Sequence, residues 1–477
     1  MALGDRDEAR ALFRRAVIAI HPQKDVLKPL ALTAIASRLS KAGDQAGARE
    51  VIEQARRVAG EFTQLEDKEG ATPFVAQALA EIGDLDAALT LARTLGKHGQ
   101  YSAFRAIVNS YAEEVYGDAG LDLGGIKIIL GAESMKVKDR TTTRQVMPKI
   151  ARAVCDSGDA LFQARTLATI AHLQAKAGDF AGARQTIDSI PTIKRSEFPG
   201  PSDGFYDAIK PGILALIARL EFDAADKAAA SEGLRRALAL SRAIEAPDQK
   251  IVAQIVIART EIECGGHDNA RTLLNEVIPF ALKQPEPLRS RSLAMLVENQ
   301  VNVGDAVGAK KTVSEIRDYP GCEKKRALNS LADWHEKAGD AAVSQALLRE
   351  ALHCMEAKAP QDAKSRMGKV RTQSPMSAGM FRDFECEFGP EWTEHTRRRD
   401  ALTLHSKLGE IDEAIRMARS MPGESRQESL SSLARDLARK GDVTRALKLA
   451  EGFETPEEQL WAFESIATVL HEGRVIK

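Results

Sequence analysis

With 477 residues, 44% of them hydrophobic and 28% charged, the chain has the make-up of a globular protein and ample material for a large buried core. Its 67 Lys and Arg nearly balance 68 Asp and Glu, so no global field draws in nucleic acid or an anionic membrane. The five cysteines (Cys155, Cys264, Cys322, Cys354, Cys386) form no C-x-x-C pair, no signal-peptide-like apolar run opens the chain, and no stretch of about 18 apolar residues offers a membrane span; a cytoplasmic protein without zinc or disulfide framework is expected.

From the N-terminus onward a Gly-Asp pair recurs, at Gly4-Asp5, Gly43-Asp44, Gly83-Asp84, Gly178-Asp179, Gly304-Asp305, Gly339-Asp340 and Gly441-Asp442. Gly409-Glu410 is a close relative and Gly265-Gly266 a degenerate copy. Where no mark is lost the spacings are 39, 40, 39, 35 and 32 residues, and Gly339 to Gly409 is 70, or two units; a period in this range means a solenoid or array. Four residues after the acid comes a small residue (Ala48, Ala88, Ala183, Ala309, Ser344, Ala446), and four further on a larger apolar one (Ile52, Ile187, Val313, Leu348). Upstream, Leu32, Ile35, Ala36 and Leu39 make a second helical face, repeated by Leu430, Leu433, Ala434 and Leu437. Each unit therefore reads as helix, Gly-Asp turn, helix.

The turn chemistry follows. Glycine enters the left-handed region that ends the first helix without a Cβ penalty, and Asp caps the next helix by accepting its free N–H groups. Glu410 keeps the charge with poorer capping. Small residues at Ala36 and Ala48 let the paired helices approach closely, so a large side chain at either should overpack the pair by roughly 1–3 kcal/mol.

In chain order the pattern predicts helix pairs near 29–59, 70–97, 160–190, 249–282, 286–318, 322–357, 394–421 and 424–453, with weaker pairs near 100–156 and 207–246. Residues 5–20 read as a second helix without its first, which suggests an upstream start, and 456–471 as a first helix without its second, able to cap the array by burying Trp461 and Phe463. Irregular insertions fall near 117–141, 191–211 and 358–393, the last a candidate break between sub-arrays of a single solenoid spanning 1–477.

The register resembles the tetratricopeptide repeat: a small residue late in the first helix, a Gly-Asp-like turn, an early Ala in the second helix, and prolines after it at Pro191, Pro320, Pro422 and Pro456. It departs from the usual pattern where Leu32, Leu167, Leu293, Leu328 and Leu430 replace the family's early Trp. The resemblance implies an all-α, right-handed α-solenoid of about ten antiparallel helix pairs, whose first helices line a concave groove. Mapping that face gives Arg165, His172, Lys176, Arg219, Arg259, Arg291, Arg326, Asn329, Arg399, Arg435 and Arg439 as partner-binding candidates. A guanidinium stripe suits carboxylates and phosphates, which it binds bidentately.

Catalytic chemistry is not indicated. Helix caps one repeat apart cannot share a proton or a metal, G-D-A-G-L-D-L-G-G at Gly117 lacks a phosphate-loop pattern, and His395 and His405 lack zinc spacing and read as surface histidines. The Arg397-Arg398-Arg399 run reads as a solvated helix face. The expectation is a non-enzymatic scaffold or adaptor without cofactor or metal, holding another protein or a peptide, an acidic one included. An RNA-binding helical repeat, or the regulatory arm of a larger protein, are the alternatives; the near-neutral charge argues against RNA, and the oligomeric state is open.

Overall fold

Leu27–Lys41 and Gln45–Gly60 show how two residues close one helix and open the next. Gly43 has φ +83°. Its N–H donates to the Ser40 carbonyl and the Asp44 N–H to the Leu39 carbonyl, both at 2.9 Å, which satisfies carbonyls the first helix leaves open. The Asp44 side chain then accepts from the Gly47 N–H at 2.8 Å. Asp44 is thus the last hydrogen-bonding residue of one helix and the N-cap of the other.

The computed structural model describes residues 12, 15–17, 27–114, 135–191, 206–286, 288–317, 323–356, 390–453 and 455–471. They group into two units, Met1–Leu273 and Leu274–Lys477. The expected marks and helices over 4–11, and most of the three insertions, lie outside the described residues.

In the first unit, helices run over Leu27–Lys41, Gln45–Gly60, Leu65–Glu81, Leu85–Arg93, Lys97–Ser110, Arg140–Cys155, Ala160–Lys176, Phe180–Asp188, Tyr206–Asp223, Lys227–Arg242 and Pro247–Glu263. From Leu27–Lys41 to Tyr206–Asp223, first helices pack on their own second helix and on the first helix of the next pair, as Tyr206–Asp223 does on Lys227–Arg242 and Pro247–Glu263. The pattern is interrupted between Lys97–Ser110 and Arg140–Cys155. There Ala112–Glu114 pairs antiparallel with Met135–Val137, in the register Ala112 to Val137, and closes the base of the first insertion. Lys138 fixes this closure by donating its Nζ to the Ser110 carbonyl at 3.0 Å.

The second unit repeats the scheme over Leu288–Asn302 with Ala306–Ser314, Glu323–Lys337 with Ala341–Glu356, Pro390–Leu408 with Ile411–Arg419, and Gly423–Arg439 with Val443–Glu451. Pro456–His471 then packs on the last pair. Pro422 and Pro456 open the helices that follow them, where a missing N–H is no loss. Ala341–Glu356 packs on Pro390–Leu408, on the other side of the third insertion.

Both units are therefore tetratricopeptide-like arrays of helical hairpins, and the core is the set of faces read from the sequence. Leu32, Ala36, Leu39, Ala48 and Ile52 are wholly buried, as are Leu167, Ala171, Ala183 and Ile187. Ala36 and Ala48, one on each helix of the first described pair, are both wholly buried, so a larger side chain at either has no room.

One turn was hidden from the sequence pattern. Ala225 has φ +67°, its N–H bonds the Phe222 carbonyl, the Asp226 N–H bonds the Glu221 carbonyl, and Asp226 caps the Ala229 N–H at 3.0 Å. An alanine does the glycine's work here, at a steric cost of about 1–2 kcal/mol.

At Gly409-Glu410 the loss of capping is visible. Glu410 makes no side-chain cap bond and instead receives His405 Nδ1 at 2.7 Å on its carboxylate. His405 is therefore a half-buried brace of the turn rather than a surface residue. His335 approaches Asp340 in the same way, and Gln174 reaches Asp179. Trp461 also departs from expectation. It is 62% exposed, whereas Phe463 packs against the core beside Ala462, Ile466 and Val469, the buried apolar residues of that helix.

Candidate binding face

Counted back from the left-handed turn residue, Arg219, Arg259 and Arg435 sit six residues before it, Arg165, Arg291 and Arg326 thirteen, Arg399 ten and Arg439 two, offsets that the helical period carries onto one side of each first helix. In the first unit this produces a row across three adjacent helices. Arg219 of Tyr206–Asp223 lies 3.0 Å from Glu263 of Pro247–Glu263 and 3.9 Å from Asp223, while Arg259 Nε donates to the other oxygen of Glu263 at 3.1 Å. One carboxylate thus faces two guanidiniums, each more than a third exposed. Lys176 is half-buried on the neighbouring helix.

His172 corrects the expectation of an open position. It is 2% exposed, and neither ring nitrogen has a hydrogen-bond partner. Burial, with the charges of Lys176 and Arg219 nearby, pushes its pKa down to about 3, so the imidazole is neutral. Ala168, one turn earlier on the same helix, is wholly buried too. Arg165 is half-buried on the same helix.

Cys264 adjoins the row. Burial, then the carboxylates of Glu261, Asp223 and Glu263, push its thiol up to about 11, against a smaller opposing effect of Arg219. That makes it an unreactive thiol. Glu221, almost wholly buried between Ala160–Lys176's second helix and its own, is met by Arg184 at 3.2 Å; burial still holds its pKa above the usual range.

In the second unit the candidates are stitched to neighbouring helices. Arg326 makes a two-pronged bond to Glu298, the Nη2 contact being 2.8 Å, and Arg291 meets Glu323 at 3.4 Å, so Leu288–Asn302 and Glu323–Lys337 are tied in both directions. Asn329 accepts from Lys407 at 2.8 Å, and the same ammonium reaches Asp333 at 2.8 Å. With Lys325 to Asp400 this joins Glu323–Lys337 to Pro390–Leu408. Arg399 meets Glu428 at 3.5 Å, Arg435 donates to Ser465 Oγ at 3.2 Å, and Arg439 lies 3.7 Å from Asp436 on its own helix.

The stripe is real as a register but not bare. Sequence reasoning placed the arginines, and Glu298 beside Arg291, on this face but missed Glu263, Glu323 and Glu428; Arg219, Arg291 and Arg399 reach these acids from a different repeat, while Arg259 meets Glu263 within one helix. Among the described residues, no group of three or more His, Cys, Asp and Glu could hold a metal ion, and no helix is long and apolar enough to cross a membrane.

No protein-family model and no curated relative matches the chain. Among solved structures it is similar to yeast Tom70, at 12% identity over 98% of this chain and 93% of that one, with a TM-score of 0.34. It is also similar to human IFIT1, as a dimer with PPP-AAAA, at 14% identity over 98% and 95% with a TM-score of 0.27. Ton1535 from Thermococcus onnurineus NA1 gives 15% identity over 69% of this chain and 99% of that one, with a TM-score of 0.25. At such scores the likeness adds nothing to what the helix pairs themselves establish: tetratricopeptide-like hairpins carrying a row of half-exposed charges.

Proposed function

We propose that the chain is a non-catalytic scaffold that holds a segment of another protein along its first-helix faces. The observation that carries this reading is the row formed by Arg219, Glu263 and Arg259, in which charged, half-exposed side chains stand in register on rigid, mutually packed helices. A carboxylate of an acidic or mixed-charge segment would compete with Glu263 for the two guanidiniums, which present planar forks matched to that group. Such an exchange replaces one charge-assisted bond by another, so affinity would come from several such exchanges together with main-chain contacts. The free thiols of Cys155, Cys264 and Cys354 suit a reducing compartment such as the cytoplasm.

The test is fluorescence anisotropy of labelled peptides selected from a random display library on the 477-residue chain. The proposal expects enrichment of Asp and Glu in the selected peptides, weakening with salt, and about tenfold loss of affinity in an Arg219→Ala, Arg259→Ala double variant, the equivalent of about 1.4 kcal/mol. Peptides indifferent to both arginines, or a preference for labelled single-stranded RNA over every peptide, would overturn it.

A further inference from the structure

The face that carries the Arg219 row changes character along the first unit. Positions thirteen, nine, six and two residues before the turn residue fall within about 60° of one another around a helix, so they form one stripe on each first helix. On Ala160–Lys176 this stripe holds Arg165 and Lys176, on Tyr206–Asp223 it holds Arg219, and on Pro247–Glu263 it holds Arg259. On Leu27–Lys41 it reads Leu30, Ala34 and Ser37, and on Leu65–Glu81 it reads Gly70, Phe74 and Gln77, with charge only at the last position, Lys41 and Glu81. An uncharged stretch therefore precedes a charged one on the same stripe.

Phe74 is the unusual residue of the uncharged stretch. It is 40% exposed, although Leu65–Glu81 packs on both Leu27–Lys41 and Lys97–Ser110 and so lies inside the array. The apolar residues at the same position of later helices in this unit, Leu216 and Val256, are 5% and 6% exposed. Gly70, one turn before Phe74, is exposed as well, and a methyl group added to it would meet nothing within 4 Å. Glycine inside a helix weakens it relative to alanine, and here no neighbouring atom requires the missing side chain. Gly47 and Gly182 differ, since the cap carboxylates of Asp44 and Asp179 occupy the space beside them. What Gly70 leaves is bare surface beside an exposed phenyl ring, room for a side chain from outside.

We propose that Phe74 anchors the bound segment: an extended stretch of the partner seats one aromatic or aliphatic side chain on the Gly70 and Phe74 notch and lays its acidic residues on Arg219 and Arg259. This inference rests on the scaffold reading and adds the chemistry of the ligand. Charge selects the two ends. An apolar side chain enters the uncharged stretch without stripping water from a charge, and carboxylates suit the guanidiniums further along. An aromatic anchor also supplies affinity that exchanging one carboxylate for Glu263 does not. The distance between the two ends follows from the packing. Leu65–Glu81 packs on Lys97–Ser110, that helix on Ala160–Lys176, and that one on Tyr206–Asp223. Three steps of roughly 8–10 Å make roughly 24–30 Å. An extended chain rising about 3.3 Å per residue covers this in about eight residues. The partner segment therefore carries an apolar residue about eight positions from its acids.

Fluorescence anisotropy on the full 477-residue chain tests it, with labelled Gly-Ser peptides that carry one phenylalanine placed four, eight or twelve residues to either side of a Glu-Glu pair. Binding should be tightest at a spacing of eight, and Phe74→Ala should weaken that peptide about tenfold. Changing the peptide phenylalanine to serine should abolish the effect of Phe74→Ala, as a double-mutant cycle requires of two groups in contact. Gly70→Leu should weaken binding as well, because leucine packs over an aromatic ring one turn further on, while raising the denaturant midpoint, because leucine is the better helix former. A merely structural role for Gly70 would not move the two readouts in opposite directions. Circular dichroism checks that both variants keep the wild-type helix content. Peptides that lose affinity on Arg219→Ala, Arg259→Ala but are indifferent to Phe74→Ala, or to the spacing, would overturn this inference and leave the scaffold reading standing. Peptides indifferent to the arginines as well would overturn both.

Discussion

The turns and the first-helix faces of this protein follow opposite rules. From Gly43-Asp44 to Gly441-Asp442 each turn repeats one set of hydrogen bonds, two backbone bonds closing a helix, and in most of them an acidic cap opens the next. Along the faces, six residues before those turns, stand Ser37, Gln77, His172, Arg219, Arg259, Glu298, Asp333, Thr403 and Arg435 in succession. A position that repeats its chemistry is doing the same mechanical task each time; a position that changes from pair to pair carries what is particular to this chain. The acidic residues that recur so conspicuously are thus joints, and the variable faces are where recognition belongs.

The largest expected effect breaks this rule at one face position. His172 is buried with both ring nitrogens unpaired, so His172→Leu should stabilise the first unit by about 1–3 kcal/mol at neutral pH, read from denaturant unfolding. The sign with pH follows from its depressed pKa of about 3 against the ordinary 6.5. Below pH 6.5 the unfolded chain takes up a proton that the folded chain refuses. Stability is therefore lost as pH falls from 6.5 toward 3, at about 1.4 kcal/mol per unit, and His172→Leu should flatten that slope.

Next comes the buried carboxylate of Glu221. Arg184→Ala strips its cation and should cost about 2–4 kcal/mol, whereas replacing both residues by Met should cost much less, since an uncompensated buried charge rather than a missing bond is the penalty.

Smaller effects sharpen the account of the turns. Asp179→Ala removes a working cap and should cost about 1 kcal/mol. Glu410→Asp should gain a few tenths to about 1 kcal/mol by supplying a cap bond that Glu410 does not make. Ala225→Gly should gain about 0.5–1 kcal/mol by relieving its positive φ, the reverse of the usual effect of glycine near a helix. All three are readable as shifts in the denaturant midpoint at constant slope.

These residues also show what the sequence made legible. Helix pairs could be placed because both halves of each turn and the apolar faces around it are local, with every deciding residue inside one repeat. The turn at Ala225-Asp226 escaped because its left-handed residue is an alanine, so the neighbouring pair was recognised only through its apolar faces. Of the candidate site, the register of the arginines was legible and their partners were not. Lys407 joins Asn329 and Asp333 across more than seventy residues, and no local spacing reports such a contact. His172 was misplaced for a related reason. Arg219 and Arg259 hold the same register, but their long stems carry the charge outward, while a shorter imidazole stays beneath its neighbours.

The division between joint and face is tested most directly by hydrogen exchange of the 477-residue chain with and without a saturating selected peptide. The account predicts new protection in Tyr206–Asp223 and Pro247–Glu263 around Arg219 and Arg259, with no change at the Asp226 turn or in Lys227–Arg242. Protection centred on the turns and second helices, with the Arg219 row unchanged, would contradict it.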